Sequence, residues 1–231
     1  MPDDDIRLLI VDDQNLVRHG LRAVLGGIEG IRLVGEAVNG VDAVAVARRL
    51  RPDVVLMDVN MPRMNGIEAT GHLCREPGID AKVIILSMYD NDENVFQALR
   101  AGASGFILKD APNETLVEAI RQVADGEALL SPTVTRLLID EFARRPALGG
   151  APATGHLALT GREREVFTLL VQGYSNQDIA RTLVLGESTV KSHVQHLYQK
   201  LGVRDRVQVV IYAYENGLIA RGAKPGLALG S

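Results

Sequence analysis

Several residue types that define protein classes are scarce or missing in this sequence. Of its 231 residues one is cysteine and none is tryptophan, and the single Cys74 excludes both an internal disulfide and a cysteine-rich metal site. Its apolar runs are short, such as the four residues 83–86, and fall far below the roughly 18 residues that a membrane-spanning helix needs. Residues 3–5 are all aspartate, where a secretory signal would be basic. These absences favour a cytoplasmic protein with no membrane association.

Charge is distributed unevenly along the chain. The formal net charge of −4 by itself argues weakly against nucleic-acid binding. Residues 1–125, however, contain 13 Lys and Arg against 20 Asp and Glu, whereas residues 156–221 contain 8 against 6 together with three histidines. The asymmetry suggests an acidic half and a mildly basic half with different partners.

The first half alternates β-rich runs with amphipathic stretches. We expect strands over residues 7–11, 32–37, 54–57, 83–87 and 105–108, followed in turn by helices near 15–26, 41–50, 65–75, 92–101 and 112–125. Four of the five strands are almost continuously apolar, as in parallel strands that are covered on both faces. Five β-α units predict an α/β fold with a flavodoxin-like, doubly wound parallel sheet in the order 2-1-3-4-5.

The second half has a different pattern. Residues 143–158 are rich in Gly, Pro and Ala without periodicity, which indicates a linker, and one further helix is expected over 132–142. From Thr160 onward the pattern is helical, and four short helices predict a small all-α domain. The expected boundaries are 1–128 for the first domain, 129–155 for the helix and linker, 156–221 for the second domain, and 222–231 for a disordered tail.

Helix starts and stops are well marked in the all-α domain. Three capping residues stand three positions before a carboxylate or amide: Thr160 before Glu163, Ser175 before Asp178, and Asp205 before Gln208. Glycines stand where three helices are expected to end: Gly173, Gly202 and Gly217. These signals predict where three of the helices begin and where three of them end.

Polar side chains follow the strands of the predicted sheet. Asp12 and Asp13 come after the first strand, Asp58 after the third, Ser87 ends the fourth, and Lys109 follows the fifth. In the order 2-1-3-4-5 the first and third strands are neighbours at the switch point, where ligands bind beyond the carboxyl ends of the strands. Three carboxylates would repel one another without a cation, and hard oxygen ligands suit Mg²⁺.

The set makes chemical sense as a phosphoryl acceptor. An aspartate can act as the nucleophile, while Lys109 and Ser87 stabilise the oxygens of the transferred group. Taken singly, each of these residues has a structural explanation that is at least as common. An Asp after a strand can form a turn or cap a helix, Lys109 can be a solvated surface group, and Ser87 can cap the backbone. Five polar residues at four strand ends, all at one edge of the sheet, favour the functional interpretation.

This half resembles the receiver domain of two-component response regulators over residues 6–125. Four blocks carry the resemblance: residues 9–13, 56–62, 86–88 and 102–109. The resemblance implies that Asp58 is the phosphoacceptor and that Lys109 and Ser87 contact the phosphoryl group. It implies a Mg²⁺ site in which Asp13 and Asp58 bind directly, Asp12 binds largely through water, and the main-chain carbonyl of Asn60 is a further ligand. Phe106 matches the switch aromatic of the family, and the alternative is plain core packing.

Residues 187–201 form a candidate DNA-reading helix. Its apolar residues fall on one narrow stripe: Val190, Val194, Leu197 and Leu201. Its opposite face is polar: Ser188, Ser192, Gln195, His196 and Gln199, with Lys191 on a flank. A helix of this length fits the major groove, and Lys, Gln and Ser can bind base edges. Periodicity alone also allows a generic surface helix, but the capped helix over 175–183 and the tight connection 184–186 indicate a helix-turn-helix.

Blocks 159–166, 173–180 and 188–194 resemble the LuxR-type helix-turn-helix over residues 156–220. The resemblance implies base contacts by Lys191, Ser192 and Gln195, and phosphate contacts by Thr189 and His193. It also implies pairing through the last helix, over 206–216, whose apolar stripe consists of Val207, Val210, Ile211 and Tyr214.

Together the two halves resemble a response regulator of the NarL/FixJ type. That resemblance implies that a sensor histidine kinase phosphorylates Asp58 with Mg²⁺, that a homodimer forms, and that double-stranded promoter DNA is bound, with RNA polymerase as a further candidate partner. It implies a regulator rather than an enzyme. Two alternatives remain: a regulator with a vestigial pocket, and an aspartyl-phosphate hydrolase, which would need a substrate-binding cap and typically a second Asp where this chain has Asn60.

Overall fold

The computed structural model describes residues 5–88, 92–126 and 159–218. The chain divides into two compact units, Met1–Leu138 and Ile139–Ser231, and each is considered by itself. The passage between the units falls outside the described residues, so the domain boundaries stay predictions. The helix expected over 132–142, the linker and the tail from 222 lie outside the described residues as well.

The first unit contains a five-stranded parallel sheet. Its strands are β1 (Ile6–Val11), β2 (Ile31–Ala37), β3 (Val54–Asp58), β4 (Lys82–Ser87) and β5 (Gly105–Leu108). Their order is β2-β1-β3-β4-β5, which confirms the predicted flavodoxin-like topology. All five residues of β3 are buried, as expected for a central strand covered on both faces. The prediction ended this strand at Met57, whereas Asp58 is its last residue and pairs with Leu86 of β4.

Helices follow each strand of the sheet. They are α1 (Asn15–Leu25), α2 (Gly40–Leu50), α3 (Gly66–Arg75), α4 (Asp92–Ala101) and α5 (Asn113–Ala124), each within two residues of its predicted bounds. The side chains of Asn39 and Asn65 cap α2 and α3, because each accepts a hydrogen bond from a backbone N–H of the first turn. Helix α1 differs, since its N-cap residue Gln14 makes no side-chain capping bond.

The described part of the second unit is a bundle of four helices: α6 (Gly161–Val171), α7 (Asn176–Leu183), α8 (Glu187–Leu201) and α9 (Arg206–Glu215). The predicted caps Thr160, Ser175 and Asp205 all accept hydrogen bonds from the first turns of their helices. Gly173, Gly202 and Gly217 have φ values of 91°, 67° and 64°, which is the left-handed conformation expected after helix ends. Within the described ranges no helix is both long and apolar enough to cross a membrane.

Candidate functional site

The predicted acidic cluster forms at the carboxyl edge of the sheet. Val11 pairs with Met57 across β1 and β3, so the residues that follow them in the chain lie at the same edge. One carboxylate oxygen each from Asp12, Asp13 and Asp58 lie within 4.8 Å of one another. Asp12 and Asp58 are buried and Asp13 is exposed. The site is therefore open on the side of Asp13.

Lys109 connects the two buried carboxylates. Its Nζ lies 2.5 Å from Oδ2 of Asp12 and 2.9 Å from Oδ1 of Asp58, and its side chain is 8% exposed. One ammonium thus faces three clustered carboxylates, and negative charge remains in excess. Such an excess favours binding of a cation.

The pKa values reflect this balance of burial and charge. Burial raises the pKa of the Asp58 carboxyl, because the hydrogen bond from Lys109 offsets only part of that effect and the charges of Asp12 and Asp13 add to it. Burial lowers the pKa of Lys109, but hydrogen bonds to Asp12 and Asp58 outweigh burial and raise it overall. Lys109 therefore stays a cation, while ionisation of Asp58 lowers the free energy of unfolding.

The donor set fits Mg²⁺. All three side chains offer hard oxygen ligands. Each bond to Mg²⁺ measures about 2.1 Å, so octahedral ligands lie about 3.0 Å apart when adjacent and about 4.2 Å apart when opposite. The three oxygens lie within 4.8 Å of one another, so small movements bring them to one ion. Asn60, whose main-chain carbonyl is the fourth predicted ligand, is exposed two residues after Asp58.

The remaining predicted pocket residues lie on β4, which pairs with β3, and on β5, which pairs with β4. Ser87 is the buried last residue of β4, and its carbonyl accepts a hydrogen bond of 2.8 Å from the backbone N–H of Lys109. Phe106 on β5 is buried opposite Ile85. Burial is common to a switch aromatic and to a core side chain, so the role of Phe106 stays a prediction.

Gly66 supports the pocket in a way that the sequence did not reveal. An added Cβ at Gly66 would lie 2.0 Å from the carbonyl oxygen of Asp58, while the Gly66 N–H donates a hydrogen bond of 2.9 Å to the carbonyl of Val59. The only signal was the pair Asn65-Gly66, which indicates a turn. In the structure Asn65 also caps α3, so this glycine brings the helix start against the backbone of Asp58.

Gly66→Ala is expected to destabilise the first unit by about 3 kcal/mol, because backbone atoms of Asp58 must move to admit the methyl group. Chemical denaturation of the full chain measures the change. Gly20→Ala is the matched control, because Gly20 lies within α1 and nothing lies within 4 Å of its added Cβ. Alanine there should raise the free energy of unfolding by about 1 kcal/mol. Equal stability of Gly66→Ala and the unmodified chain would contradict the assigned close approach.

The candidate DNA-reading helix has the two predicted faces. Its apolar stripe is buried: Val190, Val194, Leu197 and Leu201. Four of the five predicted DNA contacts are exposed on its other side, namely Thr189, Lys191, Ser192 and Gln195, and His193 is half-buried. The 15 residues of α8 span about 22 Å at 1.5 Å per residue, enough to lie in a major groove. These side chains can reach a groove without unfolding the bundle.

A buried carboxylate fastens α8 to α6. Oε2 of Glu163 lies 2.7 Å from Nζ of Lys200, near the end of α8, and 2.8 Å from the backbone nitrogen of Thr160. The hydrogen bond from Lys200, together with that from the Thr160 backbone, lowers the pKa of Glu163 to about 2. The sequence identified Glu163 only as part of a cap, because Lys200 stands 37 residues further along the chain.

Glu163→Gln is expected to destabilise the second unit by about 2 kcal/mol at neutral pH, a value reduced because Lys200 is partly exposed. A depressed carboxyl pKa stabilises the fold fully above the ordinary value of 4.5 and loses that contribution as the pH falls toward about 2. Denaturation of the full chain between about pH 2 and pH 7 measures the effect. Glu165→Gln, at an exposed ion pair with Arg162 on the same helix, is the control; an equal loss in both variants would contradict the assignment.

The predicted pairing stripe on α9 is only partly accessible in the single chain. Val207 and Ile211 are buried, while Val210 and Tyr214 are half-buried. Burial raises the pKa of Tyr214. A dimer that used all four side chains would therefore require the two buried ones to become accessible.

Two family models match the chain, one for each unit. The response regulator receiver domain matches residues 8–121, the part that carries the acidic pocket. The luxR family of bacterial regulatory proteins matches residues 157–213, the part that carries α8. The order of the two matches is the one that the sequence predicted.

Relatives match both units together. The uncharacterised transcriptional regulatory protein YxjL of Bacillus subtilis is 41% identical, over 95% of this chain and 100% of its own length. The nitrate/nitrite response regulator NarL of Escherichia coli K12 is 36% identical, over 90% and 94%. A solved structure of two RcsB dimers bound to two parallel DNAs is 25% identical, over 91% and 98%, with a TM-score of 0.54. As predicted, the relatives are regulators and not enzymes. The chain therefore belongs to the DNA-binding two-component response regulators that join a receiver domain to a LuxR-type helix-turn-helix.

Proposed function

We propose that Asp58 accepts a phosphoryl group from the phosphohistidine of a sensor histidine kinase in a Mg²⁺-dependent step. The observation that carries the proposal is the cluster of Asp12, Asp13 and Asp58 with Lys109 Nζ 2.9 Å from the Asp58 carboxylate. Three carboxylates and one ammonium at a sheet edge form a site for a divalent cation and an incoming anion. Both proposed partners, the kinase's phosphohistidine and promoter DNA, are met in the cytoplasm, where we propose that the protein acts.

In the proposed step, an oxygen of Asp58 forms a bond to phosphorus while the bond between phosphorus and the histidine nitrogen breaks. Asp13, Asp58 and the Asn60 carbonyl would hold Mg²⁺ directly, with Asp12 bound through water. The ion would neutralise charge on the phosphoryl oxygens. Lys109 is already a cation between Asp12 and Asp58. It would exchange one of these two ion pairs for a contact with a phosphoryl oxygen. The buried hydroxyl of Ser87 would donate a hydrogen bond to another oxygen, and Phe106 on the neighbouring strand would follow the Ser87 side chain.

The phosphoryl group would change the receiver locally, by adding charge beside Lys109 and Ser87. We propose that this change favours a homodimer paired through the half-buried Val210 and Tyr214, and through Val207 and Ile211 once these become accessible. Two copies of α8 would then meet DNA half-sites about one helical turn apart. Lys191, Ser192 and Gln195 would contact bases, Thr189 and His193 would contact phosphates, and RNA polymerase is a further proposed partner at the promoter. RcsB, a related regulator, is bound to DNA as dimers in a solved structure, which supports a DNA-bound dimer here.

Incubation of the full-length protein with acetyl phosphate, with and without Mg²⁺, tests the proposal. Intact mass is expected to show one phosphoryl adduct only with Mg²⁺, and sedimentation of the same sample is expected to shift toward a dimer. Beryllofluoride, a phosphoryl mimic, serves as a second probe that needs no donor. A protein that accepts neither would have a vestigial pocket, and one that steadily turns over small phosphate esters would be a hydrolase; either result overturns the proposal.

A further inference from the structure

Arg18 on α1 contacts the loop that carries the acidic cluster. Its Nη1 donates a hydrogen bond of 2.9 Å to the carbonyl of Asp12, its Nη2 donates one of 2.9 Å to Oδ1 of Asn15, and its Nε lies 3.3 Å from Oε2 of Glu36 on β2. All three guanidinium nitrogens are therefore engaged. The side chain is 12% exposed, and the bonds to Asp12 and Glu36 are partly buried while the bond to Asn15 is exposed.

The three contacts orient the peptide between Asp12 and Asp13. The Asp12 N–H donates to the carbonyl of Ala37 at 3.2 Å, and the Asp12 carbonyl accepts the hydrogen bond from Arg18. The Asp12 side chain is fixed as well, since Oδ1 accepts from the Gln14 N–H at 2.8 Å and Oδ2 contacts Lys109. Asp13 is the next residue, and the Asp12 carbonyl belongs to the peptide that joins them.

No side-chain cap fixes the backbone at the start of α1. Gln14 at the N-cap makes no side-chain capping bond, and the first turn contains no acidic residue. Asn39 and Asn65, in contrast, cap the next two helices of the sheet unit. The conformation of the loop 12–14 therefore depends on bonds made by Arg18 and by the Asp12 side chain itself.

We propose that Arg18 is a positioning residue for the metal site, which holds Asp13 in place to bind Mg²⁺. The inference rests on the proposed function, in which Asp13 is a direct ligand. Lysine cannot replace the arginine, because a single ammonium cannot reach three acceptors with the geometry of the planar guanidinium. The contact acts on the ligand from outside the metal site, and outer contacts of this kind are worth about 10- to 100-fold in metal affinity.

Calorimetric titration of the full-length, unphosphorylated protein with Mg²⁺ tests this proposal without relying on activity. Arg18→Lys keeps the charge and is expected to weaken Mg²⁺ binding about tenfold. In acetyl phosphate assays the same variant is expected to need about tenfold more Mg²⁺ for half-maximal phosphorylation, while the rate at saturating Mg²⁺ stays within about twofold. Arg22→Lys is the matched control: Arg22 also pairs with Glu36, but its side chain is 52% exposed and it makes no described bond to the 12–14 loop.

The outcomes separate the positioning role from the proposed function. Mg²⁺ affinity of Arg18→Lys equal to that of the unmodified chain would overturn the positioning role, although Asp58 could still be phosphorylated. Should Arg18→Lys fail to fold by circular dichroism, Glu36→Ala decides, because it removes the acceptor of the Arg18 Nε bond and is also expected to weaken Mg²⁺ binding. An unmodified chain that binds no Mg²⁺ and forms no phosphoryl adduct would overturn both proposals.

Discussion

Asp58→Asn is expected to abolish the phosphoryl adduct and, in the absence of Mg²⁺, to raise the thermal midpoint of the protein. The first effect follows because an amide oxygen is a poor nucleophile and cannot form an acyl phosphate in this step. The second follows because burial and the charges of Asp12 and Asp13 raise the pKa of Asp58. A carboxyl with a raised pKa costs stability whenever it is ionised, and the neutral amide removes that cost.

The sign of the pH dependence distinguishes this explanation from a general improvement in packing. Below the ordinary Asp pKa of 3.8 the carboxyl is protonated in both the folded and the unfolded chain, and it resembles the amide. The advantage of Asp58→Asn should therefore be small in acid and grow as the pH rises toward neutrality. Thermal melts in a chelating buffer measure it. Asp80→Asn, at an exposed position, is the charge-matched control. A residual adduct in Asp58→Asn would show that another residue is the acceptor.

Lys191→Ala is expected to weaken binding to the target duplex by about 5- to 150-fold, the loss typical of one base or phosphate contact. Lys191 is exposed on the polar face of α8, one residue after the buried Val190. The substitution removes a charge at the surface and no side chain from the core. The bundle should therefore keep its stability while its DNA affinity falls.

The salt dependence of binding identifies the kind of contact that Lys191 makes. A phosphate contact releases counterions, so its loss should reduce the slope of log affinity against log salt by about 0.9, whereas loss of a base contact should relax sequence specificity. Arg164→Ala, an equal loss of charge at an exposed site on α6, is the control and should change affinity little. Unchanged affinity in Lys191→Ala would contradict the assignment of α8 as the reading helix.

How much of this protein follows from its sequence depends on the range of each interaction. The sheet order followed from five apolar runs separated by helices, and the caps of α6, α7 and α9 followed from residues three positions apart. Both are short-range signals. The chain order of Asp12, Asp58 and Lys109 also predicted that they would meet at one edge of the sheet, because parallel strands end at the same side.

The contacts that sequence reasoning missed join residues that are distant in the chain or depend on backbone approach. Lys200 reaches Glu163 across 37 positions, and no periodicity links the two. The approach of Gly66 to the Asp58 carbonyl depends on the exact path of the β3–α3 loop. Arg18 reads as one polar residue on an amphipathic helix, and only its direction toward the Asp12 carbonyl distinguishes it from Arg22.

We propose that phosphorylation of Asp58 controls DNA binding, and a titration of DNA with the two forms of the protein tests this. A duplex selected from a random library is titrated with the full-length protein at about 150 mM salt, before and after phosphorylation with acetyl phosphate and Mg²⁺. Intact mass of the same samples records the adduct. We expect the phosphorylated protein to bind at least about fivefold more tightly, with two chains per duplex, and Asp58→Asn to show no change. Equal affinity of phosphorylated and unphosphorylated protein would contradict the claim.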